Sequence, residues 1–166
     1  MNIVLIVRRF VAASTVIISL FATGVANAGT ETNVSSGLTT KGPGLAVHGY
    51  DVVAYFEQGQ PQVGRAKYST VYNGATYRFS GKQNLNTFEA HPEKYVPQYG
   101  GYCAYGVAVG AKFDGDPRLW RIVNGKLYLN LNEDIQETWE KDIPGHIKEA
   151  DRNWKRIASR TPEELS

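Results

Sequence analysis

The sequence contains one cysteine, Cys103, so no disulfide can form within the chain and a disulfide-stapled scaffold is excluded. The same scarcity rules out Cys-x-x-Cys pairs for zinc or dithiol chemistry and Cys-x-x-Cys-His for covalent haem. Histidine is nearly as rare. His48, His91 and His146 stand far apart, and none forms a His-x-x-x-His metal pair. Neither sign of charge is in excess: beyond residue 28 there are 16 Lys and Arg against 16 Asp and Glu. That balance excludes a strongly basic nucleic-acid surface, because phosphate binding depends on clustered Lys and Arg. No glycine motif of the phosphate-cradling kind occurs, and Gly-x-Ser-x-Gly is absent. After residue 28 there is also no apolar run of membrane-spanning length.

Residues 1–28 have the layout of a cleavable signal peptide. Arg8 and Arg9 precede an apolar run from Phe10 to Ala22, and Ala26-Asn27-Ala28 offers small residues at the cleavage positions. Ser14, Thr15, Ser19, Thr23 and Gly24 interrupt the run, which disfavours the alternative of an uncleaved anchor. Cleavage near Ala28 makes the product periplasmic or secreted, with no membrane span in its mature form. About 138 residues would remain, enough for one domain with its own core.

Residues 29–44 are rich in Gly, Ser and Thr and read as a flexible lead-in, with the domain starting at Leu45. Val52 to Phe56 reads as a short buried strand. Tyr68–Tyr72 and Ala75–Phe79 flank Asn73-Gly74, a pair suited to the positive φ angles of a type I′ turn, so a β-hairpin is predicted with Tyr68, Tyr72, Tyr77 and Phe79 on its buried face. Ser80 caps a predicted helix to Ala90, and Pro92 opens a shorter one ended by Pro97. Tyr102 to Gly110 reads as a buried, glycine-weakened helix. A second hairpin is predicted from Trp120–Val123, the turn at Asn124-Gly125-Lys126, and Leu127–Asn130. Asn132 caps a helix over Glu133–Lys141, Pro144 begins another through Ile157, and residues 159–166 read as a frayed tail. Hairpins alternating with short helices make an α+β single domain, with the helices packed against the hairpins.

Three stretches, taken in order, resemble the YHS domain family, and in particular an exported bacterial branch of it. They are Ala46-Val47-His48-Gly49-Tyr50-Asp51-Val52-Val53-Ala54-Tyr55-Phe56, then Tyr72 to Phe79, then Phe88 to Tyr95 with Tyr99-Gly100-Gly101-Tyr102-Cys103-Ala104. Trp120 to Trp154 is similar to the same branch, so the resemblance spans nearly all of residues 45–157, within a domain read as 45–158. It implies a small hairpin-and-helix module of the kind found beside copper-transporting ATPases and in some oxygenase components, described as metal-binding. Intracellular members place a Cys in an Asp-Pro-Val-Cys-Gly stretch and often another after the hairpin. Here Gly49 to Ala54 and Phe79 to Lys82 hold none. The resemblance further implies that some exported members carry selenocysteine where Cys103 stands, which points to chemistry at that position.

Cys103 is therefore the residue to explain. It reads as a buried small hydrophobe, as a soft metal ligand, or as a redox nucleophile. A loop histidine is ordinarily a solvated hydrogen-bonding group, so His48 and His91 gain meaning as metal ligands only by converging on Cys103. His146 reads as solvated surface. Asp51, the lone acid in an apolar stretch, either caps the turn after Gly49 or joins the metal set. The leading expectation is a binding module for a metal ion, copper, through Cys103 with His48, His91 and Asp51. The competing ones are a thiol-dependent redox protein acting on a small thiol or peroxide, and a non-catalytic domain with a tyrosine-lined pocket.

Overall fold

The computed structural model describes residues 31–35 and 44–165; the predicted leader, residues 1–28, and Ser166, the last residue of the predicted tail, lie outside that range. The chain is α+β. Strands β1 (Val34–Ser35), β2 (Leu45–Ala46), β3 (Arg65–Tyr72) and β4 (Ala75–Phe79) form one sheet in the order β1-β2-β4-β3. Strands β5 (Asp116–Val123) and β6 (Lys126–Asn130) form a second, two-stranded sheet. Helices α1 (Ala54–Glu57), α2 (Lys82–Ala90), α3 (Pro92–Tyr95), α4 (Ala104–Ala108), α5 (Glu133–Glu140) and α6 (Ile143–Ile157) surround them.

Both predicted hairpins are present, and for the stated reason. Asn73 and Gly74 sit at φ 46° and 73°, and Asn124 and Gly125 at 51° and 72°, so each two-residue turn takes the positive φ values that Asn and Gly tolerate. Pairing runs Tyr72↔Ala75 to Thr70↔Tyr77 in one hairpin and Val123↔Lys126 to Trp120↔Leu129 in the other. Tyr77 and Phe79 are buried, whereas Tyr68 and Tyr72 pack against the core while staying part-exposed. Val34–Ser35, within the stretch read as a lead-in, pairs antiparallel with Leu45–Ala46.

The buried run Val52 to Phe56 is not the strand its composition suggests. It turns into α1, because the Asp51 carboxylate accepts the N–H groups of Val53 at 3.0 Å and Ala54 at 3.3 Å and so starts a helix. Ser80 does not cap α2 either; Gly81 holds that position, and Ser80 donates to Asp51 instead, through its N at 2.8 Å and its Oγ at 2.7 Å. Asn84 of α2 adds a bond at 2.7 Å. Five donors thus meet one fully buried carboxylate, tying the start of α1 to the end of β4 and to α2. The Asn132 cap is as predicted, its side chain accepting from the Ile135 N–H; the last helix starts at Ile143, one residue before Pro144, and is capped by Asp142, which accepts from the Gly145 N–H.

Two half-cores meet at β6. Leu127 and Leu129 face Val52, Val53, Tyr77, Phe79 and Phe88, while Tyr128 faces Tyr99, Tyr102, Val107, Trp139 and Ala150. The period of two in a strand produces this division. Asn130, two residues after Tyr128, belongs to the α4 side and is fully buried. Lys112 closes the second half-core: its Nζ donates to Ala158 O at 2.7 Å and Arg160 O at 2.6 Å and lies 5.0 Å from the ring centroids of both Tyr102 and Trp154. Those bonds end α6 and hold down residues placed in the frayed tail.

Asp51→Ala strands several buried donors at once. It should lower unfolding stability by about 3 kcal/mol or more, read as a fall in the denaturant midpoint. An unchanged midpoint would mean that the network is dispensable.

Candidate functional site

Two tight turns hold backbone where side chains seldom go. Val47, His48 and Gly49 have φ values of 48°, 51° and 79°, and Tyr99, Gly100 and Gly101 have 54°, 63° and 88°. A β-branched residue such as Val47 in the left-handed region costs about 1–3 kcal/mol, and such strain concentrates at working sites. A Cβ on Gly100 would stand 1.8 Å from Glu31 O, so residue 100 must be glycine for residues 31–33 to cross over it. The crossing is fixed by Asn33, whose N–H donates to Gly100 O at 2.9 Å and whose side chain donates to Asp114.

Asp114 also holds His48. The imidazole Nε2 lies 2.9 Å from both carboxylate oxygens, and Nδ1 has no protein partner among the described residues. His48 lines the smaller lobe, about 290 Å3, of a surface cleft, together with Tyr50, Asp114 and Pro117. The larger lobe, about 600 Å3, runs along the start of α5 past Asn132, Glu133 and Asp134. Asp116, Arg118 and Leu131 border both lobes. The Arg118 guanidinium, at 3.0 Å and 2.6 Å, holds the Asp116 carboxyl below the usual range, with His48 adding to the effect.

Cys103 is fully buried, next to Leu131 of the cleft border. It stands one residue before α4, and its sulfur accepts the Gly106 N–H at 3.4 Å. The thiol faces Asn130 Oδ1 at 3.7 Å, and its own N–H donates to Phe113 O at 2.9 Å. Burial pushes the thiol pKa up; the backbone N–H groups of Gly106, Leu131 and Tyr105 pull the other way without overcoming it. Leu131 connects the two sites, since its N–H faces the sulfur while its side chain borders the cleft.

The four expected ligands do not share a point. His48 lies in the cleft, and Cys103 in the core. His91 is exposed at the junction of α2 and α3. Asp51 spends its oxygens on five protein donors. Among the described residues, no three His, Cys, Asp or Glu side chains gather as a metal ion requires. A closed copper site built from this set therefore does not fit the structure. His146, read as solvated, is half-buried and hydrogen-bonded through Nδ1 to Trp139 O at 2.9 Å. The sequence reading passed over Asn130, Asp114, Asp116 and Arg118. Asn130 left a signal, as the polar residue closing the apolar alternation from Leu127; the others lie in a Gly- and Asp-rich loop and at a strand start, with no readable period.

Residues 55–99 match the YHS domain family model, about a quarter of the chain. The match is consistent with metal handling. It includes His91 but stops short of His48, Asp51, the cleft and Cys103. No curated protein and no solved structure matches the chain. Among the described residues, no helix is long and apolar enough to cross a membrane.

The raised thiol pKa has a defined consequence for stability. The native chain keeps the Cys103 proton at a pH where the unfolded chain has released it, so this contribution is whole below the ordinary value of 9.0 and declines as pH rises past it. Alkylation of the native thiol should accordingly be slow at neutral pH and complete only on unfolding. Labelling of the native chain as rapid as that of a free thiol would contradict the burial.

Proposed function

We propose that this chain is an exported, non-catalytic metal-handling module with an open site at the mouth of the cleft, where His48 is the protein ligand. The observation that carries the reading is the imidazole held by a carboxylate. Metal-ligating histidines commonly use one nitrogen on the metal and give the other to a carboxylate, and His48 has Nε2 on Asp114 and Nδ1 unengaged. The strained turn that presents His48, and the neighbouring Asp116 carboxylate and Tyr50 hydroxyl, support it. The match to a family consistent with metal handling agrees, and the leader-like first 28 residues are the ground for reading it as exported.

An imidazole with carboxylate neighbours suits a borderline divalent ion, and copper(II) stands highest in the usual affinity order. With fewer than three protein donors the ion keeps water or takes a donor from a partner, which favours transfer over storage. Copper(I) held by Cys103 is the alternative from sequence, and the buried, protonated thiol weighs against it, as it does against a resting redox nucleophile.

Copper(II) titration, followed by paramagnetic resonance, separates these readings. His48→Ala should weaken binding at least tenfold, while Cys103→Ala leaves it unchanged. The reverse pattern, loss in Cys103→Ala alone, would transfer the function to the thiol.

A further inference from the structure

The sulfur of Cys103 is surrounded by more donors than acceptors. Backbone N–H groups of Gly106, Tyr105 and Leu131 face it, and among the described residues the side-chain acceptor it donates to is Asn130 Oδ1. That oxygen also receives the Tyr105 N–H at 3.4 Å, which fixes the orientation of the amide. On the same fully buried side chain, Nδ2 has no hydrogen-bond partner among the described residues. A buried donor left unmade costs about 1–3 kcal/mol. The amide that faces the sulfur through its oxygen is thus one acceptor short.

We propose that Cys103 is an oxidation site whose product is a retained sulfenic acid, with its new oxygen received by Asn130 Nδ2. The oxidant is a small hydroperoxide, hydrogen peroxide itself, entering from the cleft past Leu131. The sulfur attacks one peroxide oxygen; the S–O bond forms as the O–O bond breaks. The sulfur loses two electrons to the peroxide, and the thiol proton leaves with the departing hydroxide as water. Two features then stop the chemistry at this stage. A sulfenic acid ordinarily condenses with a second thiol, and the chain has no other cysteine. Burial keeps external thiols away, and the orphan amide holds the oxygen. The thiol's burial makes the reaction slow, and the same burial makes its product durable.

The test uses the full chain treated with hydrogen peroxide, with intact mass and peptide mapping to separate Cys103 from Met1, the single methionine. Cys103 should gain one oxygen and remain there under excess peroxide, while the denatured chain proceeds to two or three. In Asn130→Leu the second oxygen should arrive about tenfold faster than in the native sequence. A native Cys103 that takes up no oxygen, or runs on to the higher acids as fast as the denatured chain, overturns the proposal. That comparison needs no variant, so it holds even where Asn130→Leu fails to fold. Equal retention in a folded Asn130→Leu chain overturns it as well.

Discussion

The Asp51 carboxylate is the constraint on which the rest of the structure depends. A buried charge is tolerated only when hydrogen bonds replace its lost water, and here five donors from three parts of the chain do so. The network sets the direction of the chain as it leaves the strained turn at Val47–Gly49, and therefore where His48 points. It also fixes the end of β4 and the start of α2, against which the first half-core packs. The aspartate reads as a candidate ligand in sequence, yet its service to the site is indirect: it holds the frame in which another residue is displayed.

What could be read in advance follows from how local each signal is. The two Asn-Gly turns carry their own backbone requirement, so both hairpins were visible in the sequence to within a few residues. The cap at Asn132 is equally local. Val52 to Phe56 misleads because a five-residue apolar run has no period to distinguish a strand from a buried helix start. What decides it is the Asp51 network, whose partners Ser80 and Asn84 lie 29 and 33 residues away. No window along the sequence contains that information.

The candidate site was legible in the same uneven way. Cys103 stood out because it is alone, but a thiol has the same pattern in sequence whether it lies in a cleft or beneath one. His48 was a candidate without a partner; Asp114, the residue that gives it meaning, is 66 positions away in a loop with no periodicity. The family match covers the hairpin, α2 and α3, the most regular part of the fold. The residues that could do chemistry at the cleft lie outside it.

Strand β6 has a consequence for how the molecule comes apart. Its alternate residues are shared between the two half-cores, with Leu127 and Leu129 in one and Tyr128 in the other. Neither half can loosen its packing without baring the opposite face of a strand that the other half needs. The two halves are therefore cooperatively linked and open as one unit, and partial unfolding is confined to elements remote from β6. The Cys103 cage, bridged to Leu129 and bonded to Asn130, lies in the least yielding part of that unit. The neighbouring cleft has an exposed wall in Arg118, Leu131 and Glu133. The protein thus sets an exposed surface beside a buried interior, with Leu131 bordering both.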